Sequence, residues 1–408
     1  MRPMVLLFVA LFNSILGLSV LFPILAPLGR DLGLDELEVT SLTTAYALMQ
    51  LVMSSFWGRR SDARGRKPIL LVGICGFAVS FYAFAGIAQV GMAGALGHWP
   101  LLGLLMLTRV VGGIFSSATI PTAQAYAADV SERKDRTSAM AVIGAAFGLG
   151  VVFGPAIGAG ISHLTGNLLA PVYFSASVAV VNAFFVAIKL PEPERHVDAS
   201  AEREPTALAG VAKMVWPLLA VGLTATMASV AMEQTVAFYF GDRLGLSEQD
   251  TPGPVGLALA GYGVVAVISQ GFVVRRFKLS PITLLRIGLP TAFAGFVLFI
   301  FAHDFATLTT ALLLQGFGQG LILPGVTAGV SLGVSDETQG AVAGVNGATQ
   351  GLARTIGPVL GGALYRYRHE APYAFSACLL LLVMLVILVR PSVAPKPAPV
   401  AAEDPPSQ

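Results

Sequence analysis

Residues 57–71 read WGRRSDARGRKPILL, six charged side chains in fifteen positions of a chain that is only 12% charged. Apolar runs flank the stretch on both sides, near 39–57 and 68–92. Each has close to the roughly 20 residues that cross about 30 Å of hydrocarbon at about 1.5 Å per residue. A charged hinge between two such runs predicts a tight loop at a membrane face. Gly58 is placed to end the first helix, Gly65 to permit a reversal, and Pro68 to sit in the first turn of the next helix.

Working outward, the same pattern fills the chain. With 55% hydrophobic residues among 408, it holds more apolar surface than a soluble domain with so few charges can cover. Apolar stretches between charged or Pro/Gly-rich breaks predict twelve spans. They lie near 4–27, 39–57, 68–92, 99–127, 137–163 and 167–190, then 213–241, 252–274, 280–303, 306–333, 338–366 and 370–391. The first run is too long, and lacks a small-residue cleavage site, for a removable leader, so a permanent span is expected. PEPERHVDASAEREPT separates six spans from six. The expected organisation is an N-terminal bundle over 1–190, a cytoplasmic linker over 191–212, a C-terminal bundle over 213–391 and a disordered Pro- and Ala-rich tail over 392–408. The fold class is all-α membrane protein, two pseudo-symmetric six-helix bundles.

The two halves repeat one another. Sliding the second over the first brings Gly113 onto Gly316, Pro121 onto Pro324, Gly144 onto Gly347 and Gly148 onto Gly351. The same shift brings Gly154 onto Gly357, Pro155 onto Pro358 and Gly158 onto Gly361. Glycine, at 45 in 408, is too sparse for so many coincidences to follow from composition. Parallel repeats of this kind build transporters whose pathway runs between the halves.

Orientation follows from the basic residues, which resist crossing during insertion. With the N-terminus cytoplasmic, most of the 25 lysines and arginines fall in cytoplasmic segments. Arg366 and Arg368, in YRYRHE, are the exception and would lie outside. Both termini are then cytoplasmic, in what is expected to be a bacterial inner membrane.

Several function classes are excluded. Net charge is only +2, and no basic stripe alternates with aromatics, so nucleic acid is not an expected partner. Cys75 and Cys378 lie inside apolar runs without metal-ligand spacing or a disulfide framework, and read as buried, inert thiols. There is no HExxH, no P-loop and no Ser/His/Asp set; His98, His163, His196, His303 and His369 fall at span ends or in loops. The chain reads as a non-enzyme without cofactor or metal. Energy for any transport must come from an ion gradient or the substrate's own gradient.

Ionisable residues well inside the spans are few: Arg109, Glu233 and Arg354, with Arg286 near a boundary. An arginine or acid at mid-membrane costs about 2.5 to 3.5 kcal/mol on insertion scales, so each persists through pairing, hydration or function. Glu233 is the only carboxylate well inside any span, hence the expected proton carrier. Asn13, Gln50, Gln234, Gln315, Gln319, Asn346 and Gln350 are candidates for hydrogen bonds in a cavity, alongside Arg354, with Tyr46, Phe238 and Tyr262 as aromatic walls. The expected partners of this chain, taken as a monomer, are a small-molecule substrate, the proton and the lipid bilayer.

Three motifs resemble the major facilitator superfamily. The 57–71 stretch is similar to its signature G-x-L-x-D-R-x-G-R-K/R-x-x-L, supplying Gly58, Asp62, Gly65, Arg66, Lys67 and Leu70, with Arg60 for the leucine and Ala63 for the first arginine. The resemblance implies a charge network between the second span and the start of the eleventh, with Asp62 as latch and Arg66 as its partner. GAAFGLGVVFGPAIGAG resembles the antiporter signature G-x8-G-x3-G-P-x2-G-G through Gly150, Gly154, Pro155 and Gly158, with Ala141 and Ala159 at the remaining glycines. LTRVVGGIF resembles R-x-x-Q-G, with Gly112 for glutamine, which implies a link between Arg109 and proton transfer. MEQTVAFYFGDRLGLS looks like proton-coupled drug efflux proteins of the tetracycline-exporter kind.

The resemblance therefore implies alternating-access efflux of small lipophilic compounds coupled to protons. A metabolite uptake symporter of the same fold is the alternative, and a non-transporting membrane sensor a second. Sugar or organic-acid permeases would show more fixed polar groups, whereas a mostly apolar cavity suits lipophilic cations or neutral drugs.

Overall fold

The computed structural model describes residues 3–131, 136–193, 208–277, 279–334 and 338–389. The first half comprises α1 (Pro3–Ser19), α2 (Leu25–Asp31), α3 (Glu36–Arg64), α4 (Arg66–Met92), α5 (His98–Ser116), α6 (Thr119–Asp129), α7 (Arg136–Thr165) and α8 (Ala170–Lys189). The second comprises α9 (Leu208–Leu244), α10 (Pro252–Ile268), a π-helical turn (Ser269–Val273), α11 (Val274–Phe277), α12 (Pro281–Phe301), α13 (Phe305–Leu332), α14 (Gln339–Tyr367) and α15 (Ala371–Val389). No strand occurs among the described residues. Most of the expected linker, 194–207, and the whole expected tail lie outside the described residues.

Among the described residues, eight segments are long and apolar enough to cross a membrane, and Met4–Ser19 and Ala371–Ile387 are shorter apolar helices. The other two spans are α3 and α14. They pack against each other and are the more polar ones: Thr43, Gln50 and Arg354 line the cavity between the halves, and Thr44 accepts from the Val359 N–H across the seam at 3.1 Å. The result is the expected all-α membrane architecture of two six-helix bundles.

Three features depart from the expected spans, each for a local reason. The first span breaks after Ser19, because Pro23 cannot donate to the Ser19 carbonyl and its ring would crowd that group. The fourth breaks at Ser117 and Ala118, four and three residues before Pro121. Gly58 does not end the second helix, which continues six residues further to Arg64. The extension lies where polar residues remain solvated, and it is helped by the Ser61 hydroxyl donating to the Gly58 carbonyl at 2.8 Å, while Asp62 pairs across the reversal with Arg66 of α4. The reversal is confined to Gly65, whose φ of 106° is left-handed territory. Pro68 is the third residue of α4, as expected. Cys75 and Cys378 are exposed rather than buried; an apolar span in a bundle has an outward face that meets lipid.

The sequence repeat is also a packing repeat. A Cβ on Gly150, Gly154 or Gly158 of α7 would strike Ile15, Ser19 or Val20 of α1 and its neighbouring turn. A Cβ on Gly357 or Gly361 of α14 would strike the carbonyls of Met227 or Ala231 on α9. Equivalent glycines thus hold equivalent helix pairs in close approach. The halves meet along two such related seams, α3 against α14 and α7 against α10.

Candidate functional site

Between the halves lies a cavity of about 130 Å³ lined by Leu18, Leu21, Phe22, Leu25, Thr43, Tyr46, Ala47, Gln50, Arg109, Val230, Glu233, Gln234 and Arg354. Six of the sequence-predicted residues therefore converge there: Tyr46, Gln50, Arg109, Glu233, Gln234 and Arg354. The aliphatic wall comes from α1 and the turn after it, the polar groups from α3, α5, α9 and α14. Thr43 donates to the Gln234 side-chain oxygen at 2.9 Å, a hydrogen bond across the two halves. Tyr46 is tied to Ser116, and Gln50 donates to the Tyr46 hydroxyl at 3.5 Å.

Arg109 is 3% exposed, and its guanidinium carbon sits 3.9 Å from the Phe84 ring centre and 5.1 Å from that of Phe81. Its Nη2 has no hydrogen-bond partner among the described residues. The two phenylalanines supply what a buried cation lacks, a negative quadrupole face. Glu233 accepts a hydrogen bond from the Tyr262 hydroxyl at 3.3 Å, and Tyr262 is within 3.1 Å of the Ser229 hydroxyl. Arg354 is exposed to the cavity, with its guanidinium carbon 5.9 Å from the Phe147 ring centre. No ion pair joins Glu233 to either arginine, although Arg354 is close enough to act on it electrostatically.

The remaining candidates sit elsewhere. Tyr262 stands behind Glu233 rather than in the cavity wall. Asn13, Gln315 and Asn346 are buried with unpartnered side-chain atoms, while Gln319 and Gln350 are half-buried. Phe238 lies under the Arg30 guanidinium, 5.0 Å away, at one end of the cavity.

The 57–71 network is local. Arg66 pairs with Asp62 and, through Nε at 2.7 Å, with Asp129 of α6. Glu192 accepts from the Arg66 and Lys67 backbone N–H groups, at 2.5 and 3.0 Å, and so caps α4. Gly65 lies against that carboxylate, 2.7 Å from where its Cβ would be. Among the described residues, Asp62 and Asp129 belong to the first half and Glu192 to the start of the linker.

At the opposite end the halves are fastened. Arg30 forms a two-pronged bond to Asp242 at 2.8 and 2.9 Å, lies 3.4 Å from Glu36 and 3.8 Å from Glu248, and Asp242 also accepts from Tyr365. Arg366 reaches Asp35 of the other half at 3.2 Å. Arg368 pairs with Glu370 at 3.1 Å. The two arginines that disagreed with the orientation pattern are thus each answered by a carboxylate. Sequence reading missed this clasp; its only signal was basic residues on the wrong side.

The chain matches the Major Facilitator Superfamily profile over residues 7–302 and again over 250–408. It is 25% identical over 391 residues to the quinolone resistance protein NorA of Staphylococcus aureus strain COL, covering 94% of this chain and 95% of that one. It is also 25% identical to multidrug resistance protein 1 of Bacillus subtilis strain 168, covering 90% of each. Among solved structures, the nucleoside transporter NupG superposes with a TM-score of 0.75 at 12% identity, covering 95% of this chain and 99% of that one.

Proposed function

Since the chain belongs to the major facilitator superfamily, we propose that it exports small lipophilic compounds in exchange for protons, by alternating access, across a bacterial inner membrane. The observation that carries the reading is Glu233, a carboxylate facing the cavity between the halves without an ion-pair partner. An unpaired acid at that depth persists for a reason, and proton exchange against cargo gives one. The relatives named for quinolone and multidrug resistance support a drug-like cargo. With both termini cytoplasmic, the Arg30–Asp242 clasp lies outside and the 57–71 segment inside. This structure is then the inward-facing state, in which cargo enters from the cytoplasm and the Asp62–Arg66 group waits to meet the second half after the cavity turns outward.

The test is a panel of lipophilic compounds on proteoliposomes with an imposed pH gradient, following both cargo and protons. Export is expected to depend on the gradient, and Glu233→Gln to abolish cargo-driven proton movement while cargo still binds. Full coupling in that variant removes Glu233 from the mechanism; uptake rather than export reverses the direction.

A further inference from the structure

Arg354 has no role in the account so far. Among the described residues, no hydroxyl, carbonyl or carboxylate lies within hydrogen-bonding distance of its guanidinium; its carbon is 5.9 Å from the Phe147 ring centre, and Glu233 is within electrostatic reach. Phe147 belongs to a second cavity of about 300 Å³ whose walls include Leu11, Ile15, Ile120 and Ile143. The guanidinium therefore stands where the cavity between the halves meets a second, larger one, both walled mainly by apolar side chains. Arg109 differs: it is buried and held on Phe81 and Phe84. The cavity thus has one cation held on aromatic rings, Arg109, one cation without a hydrogen-bond or ion-pair partner, Arg354, and one carboxylate, Glu233, that has no ion pair but accepts from Tyr262.

We propose that the cavity takes zwitterionic amphiphiles, with the cargo's carboxylate on Arg354, its ammonium on Glu233 and its apolar body against Phe147 and the aliphatic wall beyond. The inference rests on the exporter reading for what the cavity is for. It narrows the cargo from lipophilic compounds in general to those carrying both charges. A planar guanidinium matches a carboxylate by two parallel hydrogen bonds. The arrangement also fits exchange chemistry, because the ammonium and the transported proton claim the same carboxylate and exclude one another. A carboxylate on Arg354 makes no such claim, so it sets selection rather than coupling.

The experiment measures equilibrium binding of Nε-dansyl-L-lysine and of its methyl ester to the purified protein, with no gradient, by dansyl fluorescence. Both probes carry the ammonium and the ring system; only the first carries the carboxylate. Wild type is expected to prefer the free acid by roughly tenfold, the size of one charge-assisted contact. Arg354→Gln is expected to level the two, Arg354→Lys to recover part of the preference, and Glu233→Gln to weaken both probes alike. A preference that survives Arg354→Gln, equal affinities in wild type, or no binding of either probe overturns the proposal. If the preference stands and pH-driven export is absent, the transport reading fails and the assignment of Arg354 does not.

Discussion

Glu248 sits in the loop after α9, 3.8 Å from Arg30, and yet its carboxyl is held above the ordinary glutamate range. Burial is the largest cause, and Asp31 and Asp242 add to it, while Arg30 works in the opposite sense. The sign follows directly. An acid that binds its proton more tightly in the folded, clasped state weakens that state when ionised. The clasp gains from this group as pH falls through the raised value, and loses as pH rises from 4.5, the group's unperturbed value. Glu248→Gln is therefore expected to raise the melting temperature at neutral pH and to flatten its dependence across the acid range, measured on purified protein in detergent. A variant that melts lower at neutral pH would mean that the Arg30 attraction outweighs burial. Nothing in the local sequence around Glu248 signals this, because its neighbours are distant in the chain. Glu233, Arg109 and Arg354 were legible for the opposite reason: a charge inside an apolar run is conspicuous without any knowledge of contacts. Thr43 was not, since threonines are common in spans and only the facing Gln234 gives it a purpose.

Helix extents were legible even where proline lies inside, as in α12, α13 and α14, and were missed where a helix breaks ahead of Pro23 or Pro121 or runs on through charged residues to Arg64. α7 shows what spacing can and cannot tell. Its glycines were expected to bring helices close, but which helix they approach depends on tertiary packing: Gly154 faces Ser19 of α1, whose hydroxyl donates to the Gly150 carbonyl at 2.7 Å. A Cβ on Gly154 would lie 1.9 Å from that hydroxyl oxygen and 3.1 Å from the Leu16 carbonyl. Gly154→Ala is thus expected to destabilise by about 1 to 3 kcal/mol through overpacking. Ser19→Ala in the same chain should recover part of that loss by removing the nearest atom, while the Leu16 carbonyl remains. Thermal unfolding of the two single variants and the double variant forms the cycle; strictly additive losses would show that the two residues do not share the contact. A Cβ on Gly357, the repeat partner of Gly154, would meet the Met227 carbonyl at 3.0 Å and the Val230 side chain at 3.2 and 3.3 Å, so Val230→Ala should relieve only part of the loss in Gly357→Ala.

Considered as one molecule, the chain carries two charged groups at opposite ends of the cavity, and among the described residues only one of them joins the halves. The difference between them was hidden from sequence. The 57–71 group is contiguous and matches a motif, whereas Arg30 and Asp242 are 212 residues apart and become a pair only when the bundles assemble. Under the proposed alternating access the two groups are antagonists, each stabilising the state in which its own end is shut. The Arg30–Asp242 pair is half-buried and two-pronged, worth roughly 1 to 2 kcal/mol, so Arg30→Gln should shift the ratio of the two states by about five- to thirtyfold. Asp62→Asn should shift it the other way, and both substitutions together should return it toward wild type. Cysteine at Gly144 reports the ratio, since that glycine lines the second cavity, which Phe147 shares with the neighbourhood of Arg354, and has nothing within 4 Å of its would-be Cβ. In a background with Cys75 and Cys378 replaced by serine, labelling of Gly144→Cys by a membrane-impermeant thiol reagent, applied from the side bearing residues 57–71, should slow in Arg30→Gln. It should hold or quicken in Asp62→Asn, with transport impaired in both single variants and folding preserved. If both substitutions move labelling in the same direction, the two ends are not opposed gates, and the rocking of two repeated bundles about a shared cavity is the wrong description of this protein.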